Sequence, residues 1–193
     1  WATSAMVGIT MLGDTAVLLP VALLLIAVLA VRRQWALAVA VTVASMAGVV
    51  FVPLFKTLLH RARPIPMYQG ADGFSFPSGH SSASFAFFLV LGVLAGRGQS
   101  ARLRLAWLVV ASLPALAIAL SRVYLGVHWP SDIIAGALLA SAVCGLSLAA
   151  SQRRQTLTAL PARLWWLLLP ACLALLGGLA TWHLSAAVLR YSY

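Results

Sequence analysis

Long apolar runs separated by short polar breaks dominate this chain. An α-helix needs about 20 apolar residues to cross about 30 Å of hydrocarbon. Six stretches meet that requirement, at residues 15–31, 35–55, 80–96, 105–121, 130–150 and 164–184. Only helices can carry isolated crossings, because each backbone N–H and C=O in lipid must be paired within its own segment. The pattern therefore predicts an all-α fold, a polytopic integral membrane bundle of about six transmembrane helices. So many crossings in 193 residues leave little chain for a separate soluble domain. Residues 1–14 have neither a charged n-region nor a cleavage signal, so they do not read as a signal peptide. The first residue is Trp1 rather than Met, and the chain is expected to be a segment of something longer.

Composition agrees with the pattern. The chain is 63% hydrophobic and 8% charged, against about 45–50% and about 25% in ordinary soluble domains. A water-soluble globule of this size has too little interior for that apolar surface, and disordered chains are poor in aliphatic residues. The net charge of +10 sets 13 Lys and Arg against three acids, Asp14, Asp72 and Asp132. No basic helix or stripe is present, so nucleic acid is not an expected partner. The basic residues instead alternate between loops. Arg32 and Arg33, then Arg97, Arg102 and Arg104, then Arg153, Arg154 and Arg163 fall in the first, third and fifth. The positive-inside rule places those loops in the cytoplasm and the second and fourth loops outside. Trp35, Trp107, Trp165, Trp166 and Trp182 mark span ends, where an amphipathic ring prefers the headgroup layer. Gly92 and Gly96 suit close helix packing. Cys144 and Cys172 lie inside apolar runs as small core residues.

The two outward loops hold the polar chemistry, and polar groups gathered on one face of a membrane protein are usually functional. In the second loop, Lys56 closes a span and Arg63 follows seven residues later, directly before Pro64. Pro64 disfavours helix at Arg63, so the loop is expected to curl back. Two cations brought together suit a phosphate, with bidentate contacts from the arginine fork; snorkelling to headgroups is the alternative use. Pro77-Ser78-Gly79-His80 then opens an apolar run. Ser78 suits a helix cap, Gly79 lets backbone approach a ligand, and the helix N-terminus attracts anions. His80 in the first turn is placed to give a proton to a leaving oxygen. In the fourth loop come Ser121 and Arg122, then His128 and Asp132. If helical geometry already holds at His128, Asp132 lies one turn on along the same face. Its carboxylate then accepts Nδ1–H and leaves Nε2 free to attack phosphorus.

Together these blocks resemble the signature of the type 2 phosphatidic acid phosphatase family, which is shared with the vanadium haloperoxidases. The pattern is met by Lys56-Arg63-Pro64, by Pro77 through His80, and by Ser121-Arg122-His128-Asp132. The resemblance extends through neighbouring helices over about residues 15–150. It implies a phosphatase that uses neither metal nor other cofactor and works through a phosphohistidine. It makes His128 the nucleophile, Asp132 its orienting partner and His80 the general acid. It gives Lys56, Arg63, Arg122, Ser78 and Gly79 the phosphoryl oxygens. Membrane members commonly close the third helix with the first block, whereas Lys56 closes the second predicted span. A core over 1–155 lacking one upstream helix is therefore expected, with an additional transmembrane helix and tail over 156–193. Other domains of a longer parent chain are then possible partners.

The expected function is hydrolysis of a lipid phosphate, with membrane lipids around the site and a bacterial inner membrane as its location, the site facing the periplasm. Undecaprenyl diphosphate ranks first as substrate, ahead of phosphatidylglycerol phosphate and phosphatidic acid. Lipid phosphotransfer uses the same residues, and a non-catalytic lipid-binding or transport protein is the rival from another class. His60 and His183 are expected at the interface, Asp14 as a helix cap and Asp72 in a turn. Met67, Tyr68, Phe74 and Phe76 either form an apolar lip or dip into the interface.

Overall fold

The computed structural model describes residues 1–65, 73–154 and 162–191, with the side chains of residues 47, 151–154, 162–163, 165–167, 169 and 185–191 left aside. All regular structure in this part is α-helical: α1 (Ala2–Met11), α2 (Thr15–Val31), α3 (Trp35–Leu59), α4 (Gly79–Gly96), α5 (Ala101–Tyr124), α6 (Pro130–Arg154) and α7 (Ala162–Tyr191). Each of the six runs read from hydropathy is a helix. Among the described residues, five segments are long and apolar enough to cross a membrane, the first being Ala2–Val31 taken as one; Pro170–Leu184 in α7 is a shorter apolar stretch. Helix α1 was not anticipated. It ends at Met11, and Asp14 starts α2 by accepting the Ala16 N–H at 2.9 Å. Lys56 thus closes the third helix of the chain rather than the second.

The bundle has an apolar core and apolar outer faces. Leu25, Leu29, Leu37, Val41, Phe87 and Val90 from α2, α3 and α4 meet Cys144 of α6 and Cys172 of α7 in one core. On the opposite faces Leu138 and Leu146 of α6 are 65% and 72% exposed. A water-soluble protein does not present its leucines so freely across whole helix faces; lipid does not penalise it. Pro20, Pro53, Pro114 and Pro170 sit inside helices, which membrane helices accommodate by satisfying the freed carbonyls locally. Helix α7 packs against α1 and α2 and joins the same core, while the proposed boundary at 155 and 156 lies outside the described residues.

Helix α4 is the centre of the packing, touching α2, α3, α5 and α6. Small residues let its neighbours approach. A Cβ on Gly92 would stand 2.9 Å from the Ala111 Cβ and 3.0 Å from the Trp107 carbonyl oxygen, both on α5. At Gly136 of α6, a Cβ would stand 2.7 Å from the Ser78 carbonyl oxygen, where α4 begins. The second contact fixes the N-termini of α4 and α6 side by side at one end of the bundle. Overpacking of such a contact costs about 1–3 kcal/mol, worth about 2–4 °C per kcal/mol for a chain of this size. Gly92→Val is therefore expected to lower the melting temperature in detergent by several degrees. Gly177→Ala, where nothing lies within 4 Å of the new methyl, is expected to leave it unchanged or raise it, since alanine is the better helix former.

Candidate active site

The second and fourth loops meet at the end of the bundle where α4 and α6 begin. Helix α3 stops at Leu59 because His60 turns left-handed (φ 48°, ψ 31°), its N–H bonding to the Lys56 carbonyl. Lys56 stays on the last turn of the helix, and Arg63 lies beyond it on a chain that curls back, as Pro64 requires. Arg63 Nη1 donates to the Val127 carbonyl at 2.9 Å, and the Ile65 N–H donates to the Gly126 carbonyl at 3.3 Å. These bonds stitch one loop to the other. Gly126 adopts φ +68° at this crossing, a conformation open to glycine without a Cβ penalty.

Ser78 caps α4, its Oγ accepting the Ser81 N–H at 3.4 Å, so Gly79 and His80 occupy the first turn. The Ser78 N–H donates to the Asp132 carbonyl at 3.0 Å. Arg122, buried in the last turn of α5, donates through Nη1 to Thr10 Oγ of α1 at 3.2 Å. His80 lies within electrostatic range of Lys56, Arg63, Arg122 and His128. Lys56 lies within range of Arg63, Arg122 and Asp132. The eight residues singled out in the sequence (Lys56, Arg63, Ser78, Gly79, His80, Arg122, His128 and Asp132) therefore converge on one place.

His128 precedes α6, which begins at Pro130, so the condition that helical geometry already holds at His128 is not met. The pairing with Asp132 forms by another route. Asp132 is the third residue of α6, and its Oδ2 accepts the Trp129 N–H at 2.9 Å, as an acidic residue does in a capping box. That fixes the carboxylate beside the loop, with Oδ2 3.4 Å from His128 Nδ1. Both side chains are buried. Burial pushes the His128 imidazole down to about 4; the hydrogen bond to Asp132 opposes that shift, and the charges of Arg122 and Arg63 add to it. At neutral pH His128 is thus uncharged. The Nδ1–H tautomer favoured by Asp132 leaves the Nε2 lone pair available.

Sequence reasoning did not anticipate two contacts. Thr10 has no sequence signal, since its partner is 112 positions away. Arg61 was visible only as a cation at an unspecified position within the first block, yet it bonds Asp132 at 2.8 Å. His60 is exposed and meets the edge of Phe74, ring centroids 4.3 Å apart. Phe74 and Phe76 are half-buried, while Asp72, Met67 and Tyr68 lie outside the described residues.

A cavity of about 400 Å³ opens from Lys56, Gly79 and His80. It descends between α2, α3 and α4 past Leu18, Val49, Val52 and Phe87. The fold and the site define an all-helical integral membrane protein with a cationic, two-histidine pocket above an apolar cleft. Residues 33–156 match the PAP2 superfamily, and the chain belongs to it.

The chain is 36% identical over 107 residues to phosphatidylglycerophosphatase B of Escherichia coli (strain K12), a match covering 52% of this chain and 40% of that protein. It thus spans well under half the length of that relative. It is 29% identical over 151 residues to the undecaprenyl-diphosphatase of Sulfolobus acidocaldarius, covering 74% of this chain and 68% of that protein. Among solved structures, a transmembrane PAP2 type phosphatidylglycerolphosphate phosphatase from Bacillus subtilis superposes with a TM-score of 0.70 at 25% identity, covering 82% of this chain and 80% of that one. Aquifex aeolicus LpxE gives 0.58 at 26% identity, covering 77% and 86%.

The buried imidazole generates a direct expectation. With ¹³C-labelled histidine, the resonance that disappears in His128→Asn should titrate with a midpoint near 4, and a midpoint near 6.5 would contradict the geometry. Between those values the unfolded chain takes up this proton and the folded chain does not. Thermal stability should therefore fall as pH is lowered from about 6.5 towards about 4.

Proposed function

We propose that this protein is an integral membrane lipid phosphatase that cleaves a phosphomonoester or diphosphate at the membrane–water boundary through a phosphohistidine. One observation carries the reading: Lys56 and His80 belong both to the cationic cluster and to the mouth of the apolar cavity. A molecule filling both has a phosphate head and a hydrocarbon tail. The curated relatives act on such molecules by their names, phosphatidylglycerophosphatase and undecaprenyl-diphosphatase. We place undecaprenyl diphosphate first among the substrates, with phosphatidylglycerol phosphate and phosphatidic acid next. The site faces the outside of a bacterial inner membrane, in keeping with the arginine-rich loops at the opposite end of the helices.

In this mechanism Lys56, Arg63 and Arg122 bind the phosphoryl oxygens and supply the positive charge that stabilises them as charge shifts in transfer. Ser78 and the Gly79 N–H complete the cradle at the start of α4. Nε2 of His128 attacks phosphorus, the bond from phosphorus to the leaving oxygen breaks, and His80 gives that oxygen a proton. Asp132 holds Nδ1–H and balances the positive charge the imidazole gains. Water, giving its proton to His80, then attacks the phosphohistidine, releases phosphate and restores His128.

Detergent-purified protein should release phosphate from one of the three lipids in the presence of EDTA. His128→Ala should abolish release, and His80→Ala should slow it by about 10²–10⁴, the usual contribution of a positioned acid. Activity that survives His128→Ala, or is lost with EDTA, would overturn the proposal. Transfer of labelled phosphate to a second lipid instead of water would redirect it to phosphotransfer.

A further inference from the structure

Arg61 lies inside the first sequence block, between Lys56 and Arg63, at a position the pattern leaves unspecified. Its Nη1 donates to Asp132 Oδ1 at 2.8 Å and to Ser131 Oγ at 2.6 Å. Its guanidinium lies 5.6 Å from the centroid of the Trp129 ring, within range of a cation–π contact. The Trp129 indole N–H in turn donates to the Ala62 carbonyl at 3.0 Å. The backbone is held as firmly, since the Ser75 N–H donates to the Arg61 carbonyl at 2.7 Å. Arg61 is partly open to solvent, with 39% of its side chain exposed, whereas the Asp132 side chain has no exposure at all. The two oxygens of Asp132 therefore serve different partners. Oδ1 takes Arg61 at ion-pair distance, and Oδ2 takes the Trp129 N–H and faces His128 Nδ1 at 3.4 Å.

We propose that Arg61 is a positioning residue that clamps Oδ1 so that Oδ2 is presented to His128, and that by sharing the carboxylate charge it limits the affinity of His128 for a proton. The catalytic half of this inference rests on the reading of His128 as the reacting imidazole. The groups facing His128 are Asp132 from α6, Arg122 from α5, Arg63 from the second loop and His80 from α4. Lys56 of α3 lies within range of both His80 and Asp132. Arg63 and Arg122 act on the imidazole directly, and so does any phosphate they bind. Arg61 acts through the carboxylate, on the oxygen that His128 does not face. Its removal therefore strengthens the Asp132–His128 attraction, whereas removal of Arg63 or Arg122 also removes a phosphate contact.

The test reads the His128 titration in ligand-free protein with ¹³C-labelled histidine, beside steady-state kinetics. Arg61→Gln is expected to raise the His128 midpoint by about one unit, a tenfold gain in proton affinity. It should also lower kcat about tenfold with KM within twofold. Arg61→Lys restores the charge without the fork and should return the midpoint most of the way. Ser131→Ala removes one anchor, keeps the charge and should move the midpoint less in the same direction, so the test stands even if Arg61→Gln does not fold. An unmoved midpoint in the folded variants overturns the proposal. So does a raised KM at constant midpoint, which would make Arg61 a substrate contact. If the midpoint moves as expected while the wild-type protein hydrolyses no lipid phosphate, the Arg61–Asp132–His128 linkage stands and the phosphatase reading falls.

Discussion

A carboxylate stripped of water is one of the most expensive groups a protein can hold, unless donors meet it on every side. Asp132 is that group here. Its side chain has no exposure, and it is met by Arg61 from the second loop, by the Trp129 N–H at the helix start and by His128. Its backbone carbonyl takes the Ser78 N–H, so the start of α4 is fastened to the same residue. One residue, through its side chain and its carbonyl together, thus ties two helix N-termini to two loops. Gly136 makes the arrangement sterically possible by admitting the Ser78 carbonyl against α6.

Around that carboxylate the charge balance is one-sided. Lys56, Arg63 and Arg122 crowd the same end of the bundle as His80 and His128. Like charges held together in partly dry surroundings repel, and the energy is recovered when an anion arrives. The hydrogen bonds that restrain the cations have little to do with each other in sequence. Thr10 of α1 receives Arg122 and the Val127 carbonyl receives Arg63. Restraint of this kind leaves less side-chain freedom to be lost on binding, which favours a ligand of fixed shape.

The sequence made some of this legible and concealed the rest for physical reasons. Apolar runs of membrane length appear as helices because lipid leaves the backbone no other way to pair, and four of the six run on by at least three residues at one end or both. Gly92 and Gly96 both abut α5, as their size allows. The three polar blocks converge because each is short, local and anchored at a helix end. Helix α1 escaped notice: its ten residues are too few to register as a span, and its hydrogen bond to the site is made by one threonine hydroxyl. The His128–Asp132 pair was read from a spacing that holds if His128 is helical, whereas a loop residue and a capping carboxylate make it. Arg61 was countable as a charge, yet its partner depends on how the second loop folds back, which hydropathy does not encode.

The cavity below the site has a kinetic consequence. Leu19 and Val49, on its walls, are 39% and 52% exposed on α2 and α3, so the cleft is open between two apolar helices rather than only at the polar end. A molecule reaching Lys56 by that route diffuses in two dimensions and is never in bulk water. The concentration that governs saturation is then its mole fraction in the leaflet rather than its amount per volume. Diluting such a substrate with inert lipid or detergent at constant total quantity slows turnover as competitive inhibition would, although nothing but the surface has changed.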